Sequence, residues 1–293
     1  MKKALIVYYS QAGQTERAVE HLERGLGGAL ATDKRRLEPE EPFKFPWSMR
    51  NFFRAFPRCV QSVAPRTRPL DLCWDDYDLV LLAYPVWFLS PALPMQGFLL
   101  SEEARGLRGK TVITVATCRN LPVSAGIWMK DHITALGGHF AGQIAACELA
   151  PMWASFVTTP RWMLTGHKDA FWFFPPAGLS DSSYAHIEAT AAGIGQAWAA
   201  SNGDPSRLTA PGSNLNRVSL LLMDRIGHDV FFRPWSRLVL RLFPKPGLGQ
   251  DLLLVLFRIS LVVLIICGTP CIRIFEWSVR NSSSWIRKLG LNA

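Results

Sequence analysis

The chain has 293 residues, 49% of them hydrophobic, and a formal net charge of +9, a length that supports one core of about 150 to 200 residues with an appendage, or two small domains. The charge is unevenly placed: residues 1–204 hold 20 Lys+Arg against 19 Asp+Glu, whereas 205–293 hold 12 against 4. A segment both basic and strongly apolar points to an anionic membrane surface and away from nucleic acid, whose binding arms are polar.

Met1-Lys2-Lys3 and six apolar residues, Ala4 to Tyr9, open the chain. The run is too short for a secretory signal, so the domain is expected to stay in the cytoplasm. A short continuous apolar run is what a parallel strand buried on both faces requires. Ser10-Gln11-Ala12-Gly13-Gln14-Thr15 follows, and then Ala18, Val19, Leu22 and Leu26 recur on one side of a helix. The same rhythm returns at 79–83, at Thr111 to Thr117 and, more weakly, at Gln143 to Cys147. Helices are expected over Leu93 to Ala104, Ser124 to Leu136 and Asp181 to Ala200, the last behind Ser180 as N-cap. Strands alternating with helices predict an α/β, doubly wound parallel sheet, whose ligands sit beyond the carboxyl ends of the strands.

Two insertions interrupt the pattern. Residues 43–69 carry Phe43, Phe45, Trp47, Phe52, Phe53 and Phe56 among Arg50, Arg54 and Arg58 and read as a short amphipathic helix between Pro46 and Pro57. Residues 151–178 are aromatic-rich and broken by prolines. Either insertion covers the core or forms an apolar lid over a greasy substrate. Residues 202–213 read as linker, which divides the chain into a domain at 1–203 and a tail at 204–293.

In the tail, 215–232 and 235–243 are apolar and studded with arginine, and Arg233, Arg237 and Arg241 form one stripe of a helix starting near Pro234. Leu252 to Cys267 is broken only by Arg258 and Ser260. As a helix it would rise about 24 Å, or about 36 Å if extended to Phe275, against a bilayer core of about 30 Å. Arg258 would cost about 2.5–3.5 kcal/mol at mid-bilayer, so a monotopic or re-entrant arrangement is preferred to a span. Basic residues flank the run, Arg237, Arg241 and Lys245 before it and Arg273, Arg280, Arg287 and Lys288 after it, which predicts that both ends stay on the cytoplasmic face of the inner membrane. The competing reading is a helical pair packed on the domain or on a partner. The six cysteines show no paired framework, as in a reducing cytoplasm, and Cys267 and Cys271, without further ligands nearby, read as small apolar residues; no metal site is expected.

Chemistry is carried by loops at three strand ends. A phosphate monoester needs converging donors free of bulky side chains, which a hydroxyl-rich turn into a helix N-terminus supplies. Ser10, Gln11, Ala12, Gly13, Gln14 and Thr15 fit that need. Tyr84 and the Pro-fixed loop after it, Pro85, Val86, Trp87 and Phe88, can offer main-chain groups and an aromatic face to a planar ring. Cys118, Arg119 and Asn120 can reach that ring's polar edge.

The Ser-Gln-Ala-Gly-Gln-Thr and Tyr-Pro-Val-Trp-Phe-Leu-Ser-Pro-Ala loops resemble those of flavodoxins and flavodoxin-like quinone reductases, over residues 1–150 and on toward 200. The resemblance implies a five-stranded sheet of order 2-1-3-4-5 and bound FMN used for electron or hydride transfer, with NAD(P)H as a further cofactor candidate. Ala12 departs from the Thr frequent in flavodoxins and removes one hydroxyl. The whole chain is also similar to flavodoxin-like proteins identified as dialkylresorcinol condensing enzymes of bacterial dialkylresorcinol and aryl-polyene pathways. The shared features are Phe45-Pro46-Trp47, Cys118-Arg119-Asn120, Thr159 to Gly166, Pro175 to Gly178 and the apolar tail. That family implies a ketosynthase partner that makes the carbon–carbon bonds, while the flavoprotein oxidises a hydrophobic cyclic dione to an aromatic ring. Arg119 is then expected to stabilise charge on reduced flavin, Arg161, Trp162 and Lys168 to meet the substrate, and His139, His167 or Tyr84 to serve as base. A rival is an electron carrier or non-catalytic protein that recruits a biosynthetic partner to the membrane; the near-neutral domain tells against a simple carrier, since flavodoxin shuttles are acidic. A homodimer stays open.

Overall fold

The computed structural model describes residues 3–201 and 218–280; the linker read at 202–213, and Arg287 and Lys288, lie outside them. β1 (Lys3–Tyr8) leads through the Ser10–Gly13 turn into α1 (Gln14–Leu26) and β2 (Ala31–Arg36). α2 (Met49–Val60) lies in the first insertion, followed by β3 (Leu79–Trp87), the two-residue β4 (Ser90–Pro91) and α3 (Leu93–Leu99). β5 (Thr111–Cys118), α4 (Val123–Ala135), β6 (His139–Cys147), α5 (Met152–Thr165) and α6 (Asp181–Ala200) complete the domain. The tail adds α7 (Val218–Ile226), a π-helical turn over Gly227–Phe232, α8 (Arg233–Leu242) and α9 (Leu248–Arg280).

The sheet runs β2-β1-β3-β5-β6, with β4 only folding back antiparallel on the end of β3. Counting the five parallel strands alone, that is 2-1-3-4-5, the flavodoxin order, with its switch point between β1 and β3. β1, β3 and β5 are buried almost throughout, as central parallel strands must be. One core lies between the sheet and α3 and α4, around Leu82, Tyr84, Phe98 and Met129. The other lies under α1 and α6, around Ile6, Leu22, Ile187 and Trp198. The two helices meet closely: a Cβ on Gly25 would lie 2.3 Å from the Glu188 carbonyl oxygen.

Several boundaries differ from expectation. α2 begins after Ser48, whose Oγ accepts from Asn51 N at 3.2 Å, and continues through Pro57 to Val60. The second insertion forms α5, again with a proline, Pro160, inside the helix. The helix expected over Leu93–Ala104 divides into α3 and a 3-10 turn at Glu102–Leu107, because Ser101 is extended.

The tail is built onto the domain. Asp224 of α7 is fully buried and accepts from Val123 N at 2.9 Å and Ser124 N at 2.8 Å, capping α4. α9 is one uninterrupted 33-residue helix, so the described helix makes no re-entrant hairpin. Its first part docks on α2: Phe257 stacks on Phe56 at 3.9 Å, and Asp251 pairs with Arg50 at 2.6 Å and Arg54 at 2.7 Å. Arg258 lies over the Phe53 ring at 5.3 Å, turned to the domain, so its charge does not face the apolar side of the helix.

Candidate functional site

The loops after β1, β3 and β5 converge on one cleft at the carboxyl ends of these strands. Ser10, Gln11, Ala12, Gln14 and Thr15 line it from the first loop, Pro85, Val86, Trp87 and Phe88 from the second, and Thr117, Cys118 and Arg119 from the third. The insertions add Phe52 on one side and Thr159, Trp162 and Met163 on the other, leaving a cavity of about 160 Å³. Both insertions therefore wall the cleft as well as the core.

The first loop is preset for an anion. Gly13 has φ +79°, a conformation glycine adopts without steric cost, and it turns the chain into α1. Ser10 Oγ accepts from Glu16 N at 3.2 Å, and Arg17 N bonds to the Gly13 carbonyl at 3.0 Å. Among the described residues nothing accepts from the main-chain N–H groups of Ala12, Gly13, Gln14 or Thr15, which stand at the positive end of the helix dipole. As an acceptor, Ser10 keeps its own hydroxyl hydrogen for a ligand. Thr15 Oγ1 and Thr117 Oγ1 share a hydrogen bond of 2.7 Å, tying the first and third loops together. Arg36, which the sequence reading missed, donates to the Ser10 carbonyl at 2.9 Å and pairs with Glu16 at 3.2 Å, bracing the turn against the start of α1.

Gln11 and Gln14 act as braces. Gln11 Oε1 accepts from Trp47 Nε1 at 3.0 Å, holding the first insertion, and Gln14 Oε1 accepts from Leu179 N at 2.9 Å, holding the end of the second. Gly178, at φ +93°, leaves room for that contact, since a Cβ there would stand 2.6 Å from Gln14 Oε1. Trp87 is held edge-on by Tyr9, Phe43 and Trp47 at 5.2–5.8 Å, and Phe88 packs on Phe52 at 4.9 Å.

Two charged side chains face the cleft. Arg119 lies over the Phe156 ring at 4.2 Å, and burial pulls its guanidinium down to about 10, so it stays charged at neutral pH. Among the described residues its guanidinium makes no hydrogen bond or ion pair, while its carbonyl accepts from Glu148 N at 2.9 Å. Glu148, 8% exposed, accepts from Gly178 N and Thr159 Oγ1, each at 3.2 Å. Burial raises its carboxyl above the usual range despite those bonds. Sequence reasoning missed Glu148, a lone carboxylate behind a weakly patterned strand.

Other expected residues fall elsewhere. Tyr84 is fully buried in the core beneath the sheet, donates to Gln143 Oε1 at 3.1 Å and is held protonated by burial, so it is no cleft base. Arg161, on α5, lies outside the cleft lining and is committed to the loop after that helix, bonding the Asp169 carbonyl at 2.9 Å and lying over Phe171 at 4.4 Å. His167 and Lys168 are exposed on the loop that follows α5. His139 opens β6 at the opposite end of the sheet. Gly13 and Asn120 flank the cleft without lining it.

No family model matches the chain, and none of the curated proteins does. Solved structures similar to it include a flavoprotein in complex with FMN from Lactobacillus acidophilus NCFM, at 20% identity and a TM-score of 0.39, covering 50% of this chain and 93% of that one. A flavodoxin from the domain Archaea is 12% identical, with a TM-score of 0.37 and coverage of 66% and 96%. The two-electron reduced flavodoxin of Megasphaera elsdenii is 19% identical, with a TM-score of 0.31 and coverage of 48% and 84%. The flavodoxin-like assignment rests on the strand order and register of this chain.

Proposed function

We propose that the cleft binds FMN, with its phosphate on the turn from Ser10 to Thr15 and its ring beside Pro85–Phe88, and that the protein is an oxidoreductase for a small hydrophobic substrate. The observation that carries this is the set of main-chain N–H groups from Ala12 to Thr15 without acceptors, in a wall shared by three loops. Those donors fit a phosphate monoester, and Arg36, bonded to the Ser10 carbonyl and paired with Glu16, holds the turn in place. Bound FMN would supply two-electron transfer chemistry. Arg119 is placed to balance negative charge on whatever lies in the cleft. Glu148, whose proton is retained above the ordinary carboxylate range, is the group placed to hold or move a proton there. Phe52, Phe88, Trp162 and Met163 keep water away from an apolar ligand.

The finer reading is aromatisation of a dialkylcyclohexanedione beside a ketosynthase, for which the aromatic walls and the tail give support. α9 contains a 21-residue stretch, Leu248–Gly268, of mean hydropathy 2.5 and only 11% buried. Leu252, Val255, Leu256, Ile259, Val262, Val263 and Ile266 are exposed along it, on the side opposite the docked Leu254 and Phe257. An apolar stripe with the domain on its back favours lying in the interface of a membrane, on its cytoplasmic face. The test is the absorbance of the full chain purified in detergent: a flavin spectrum bleached by a cyclic dione or by NAD(P)H is expected, and a colourless protein that takes up no added FMN would leave only a recruiting scaffold.

A further inference from the structure

We infer that Cys118 and Cys147 are a redox-active dithiol, closing reversibly to a disulfide in the wall of the cleft. They are register partners on the neighbouring parallel strands β5 and β6, and their Sγ atoms lie 3.2 Å apart. Both thiols are free. Neighbouring strands run about 4.8 Å apart, inside the span of about 4.4–6.8 Å that a disulfide bridges between Cα atoms. Drawing the sulfurs in to about 2.05 Å takes side-chain rotation and leaves the ladder in place. The remaining described cysteines have no such neighbour: Cys59 is buried against the Trp87 and Pro91 carbonyls, and Cys73 and Cys267 stand exposed.

The two thiols are unequal, as exchange chemistry needs. Cys147 is half-buried, whereas Cys118 is 5% exposed. The two sulfurs share a hydrogen bond in which either can donate; that contact lowers the Cys147 thiol and, with burial, raises the Cys118 thiol, which favours Cys147 as the thiolate. With a small disulfide such as oxidised glutathione, the Cys147 thiolate attacks one sulfur, the S–S bond breaks, and the first glutathione leaves as a thiolate and takes up a proton. Cys118 then gives its proton to solvent and attacks the Cys147 sulfur, expelling the second glutathione. Two protein thiols are oxidised and one disulfide is reduced to two thiols. Arg119 and Glu148 come next in sequence after the two cysteines, so the link reaches the charged groups of the cleft.

The test uses the full chain in detergent, incubated with oxidised glutathione, alkylated after denaturation and digested with trypsin without reduction. The peptides Thr111–Arg119 and Asp131–Arg161, each holding one of the two cysteines, should appear joined and lighter by two hydrogens than their sum, in most of the chains, and should separate on treatment with dithiothreitol. In Cys147→Ser the joined species should be lost. Recovery of both wild-type peptides separately alkylated, or each carrying glutathione, or either joined to another cysteine, would overturn the inference. The masses are read from the protein alone, so failure to bind flavin would leave them unchanged.

Discussion

Asp224→Ala tests whether the tail is part of the domain's fold. Asp224 is fully buried and accepts from Val123 N at 2.9 Å and Ser124 N at 2.8 Å. Loss of an N-cap costs about 0.5–2 kcal/mol, and a buried donor left without an acceptor adds about 1–3 kcal/mol. Against this stands relief of a carboxylate whose pKa burial raises, which returns part of the loss. The net expectation is about 2–4 kcal/mol, or a melting point lower by about 5–15 °C. Asp224→Asn keeps an acceptor for one of the two N–H groups and should cost about half as much. The assay is thermal unfolding of both variants in detergent, followed by circular dichroism. If Asp224→Ala melts within about 1 °C of wild type, well short of the roughly 5–15 °C that loss of both bonds requires, α7 does not cap α4 and the tail is a separate appendage.

Glu148→Gln should change the pH dependence of stability. Because burial raises the carboxyl above its usual 4.5, the folded state keeps a proton that the unfolded state has lost, so wild-type stability falls as pH rises from about 4.5 through the raised value. The variant lacks that fall, and its melting point should gain on wild type as pH rises from about 4.5 through the raised value and hold level above it, as read by scanning calorimetry. Phe257→Ala removes a fully buried ring stacked at 3.9 Å on Phe56; a loss of about 3–5 kcal/mol is expected, with faster amide exchange in α2 and α8. Ile259→Ser with Val263→Ser, both on the exposed stripe of α9, should weaken flotation with anionic vesicles at least about tenfold, since each apolar side chain placed in the interface contributes about 1.5 kcal/mol or more.

The parts legible from sequence are those whose physics is local. Ala4–Tyr9 and Thr111–Thr117 announce central strands because burial on both faces demands unbroken apolar runs. Ser10–Thr15 announces the turn from β1 into α1 because its small and hydroxyl residues follow such a run directly. β2 gives no such signal: Ala-Thr-Asp-Lys-Arg-Arg sits at the sheet edge, half-exposed along its first half and exposed along the rest, so neither face needs apolar residues. Pro57 and Pro160 read as breaks, yet α2 and α5 continue through them, packing on the sheet and cleft outweighing the lost main-chain bonds. Tyr84 and Pro85 are adjacent in sequence, but successive side chains of a strand face opposite ways, which sends the tyrosine into the core while the proline reaches the cleft. Asp224, Arg36 and Glu148 owe their roles to partners distant in sequence, Ser124, Ser10 and Gly178 at 100, 26 and 30 residues' separation, a tertiary fact without a local mark.

The most direct test of a phosphate-gripping turn compares FMN with riboflavin, which shares the ring and lacks the phosphate, by fluorescence titration of the full chain. Hydrogen bonds to a charged group contribute about 1.5–3 kcal/mol each, so two or more N–H donors from Ala12 to Thr15 predict that FMN binds at least about 100-fold more tightly. Equal affinity for the two, or no binding of either, would contradict the account.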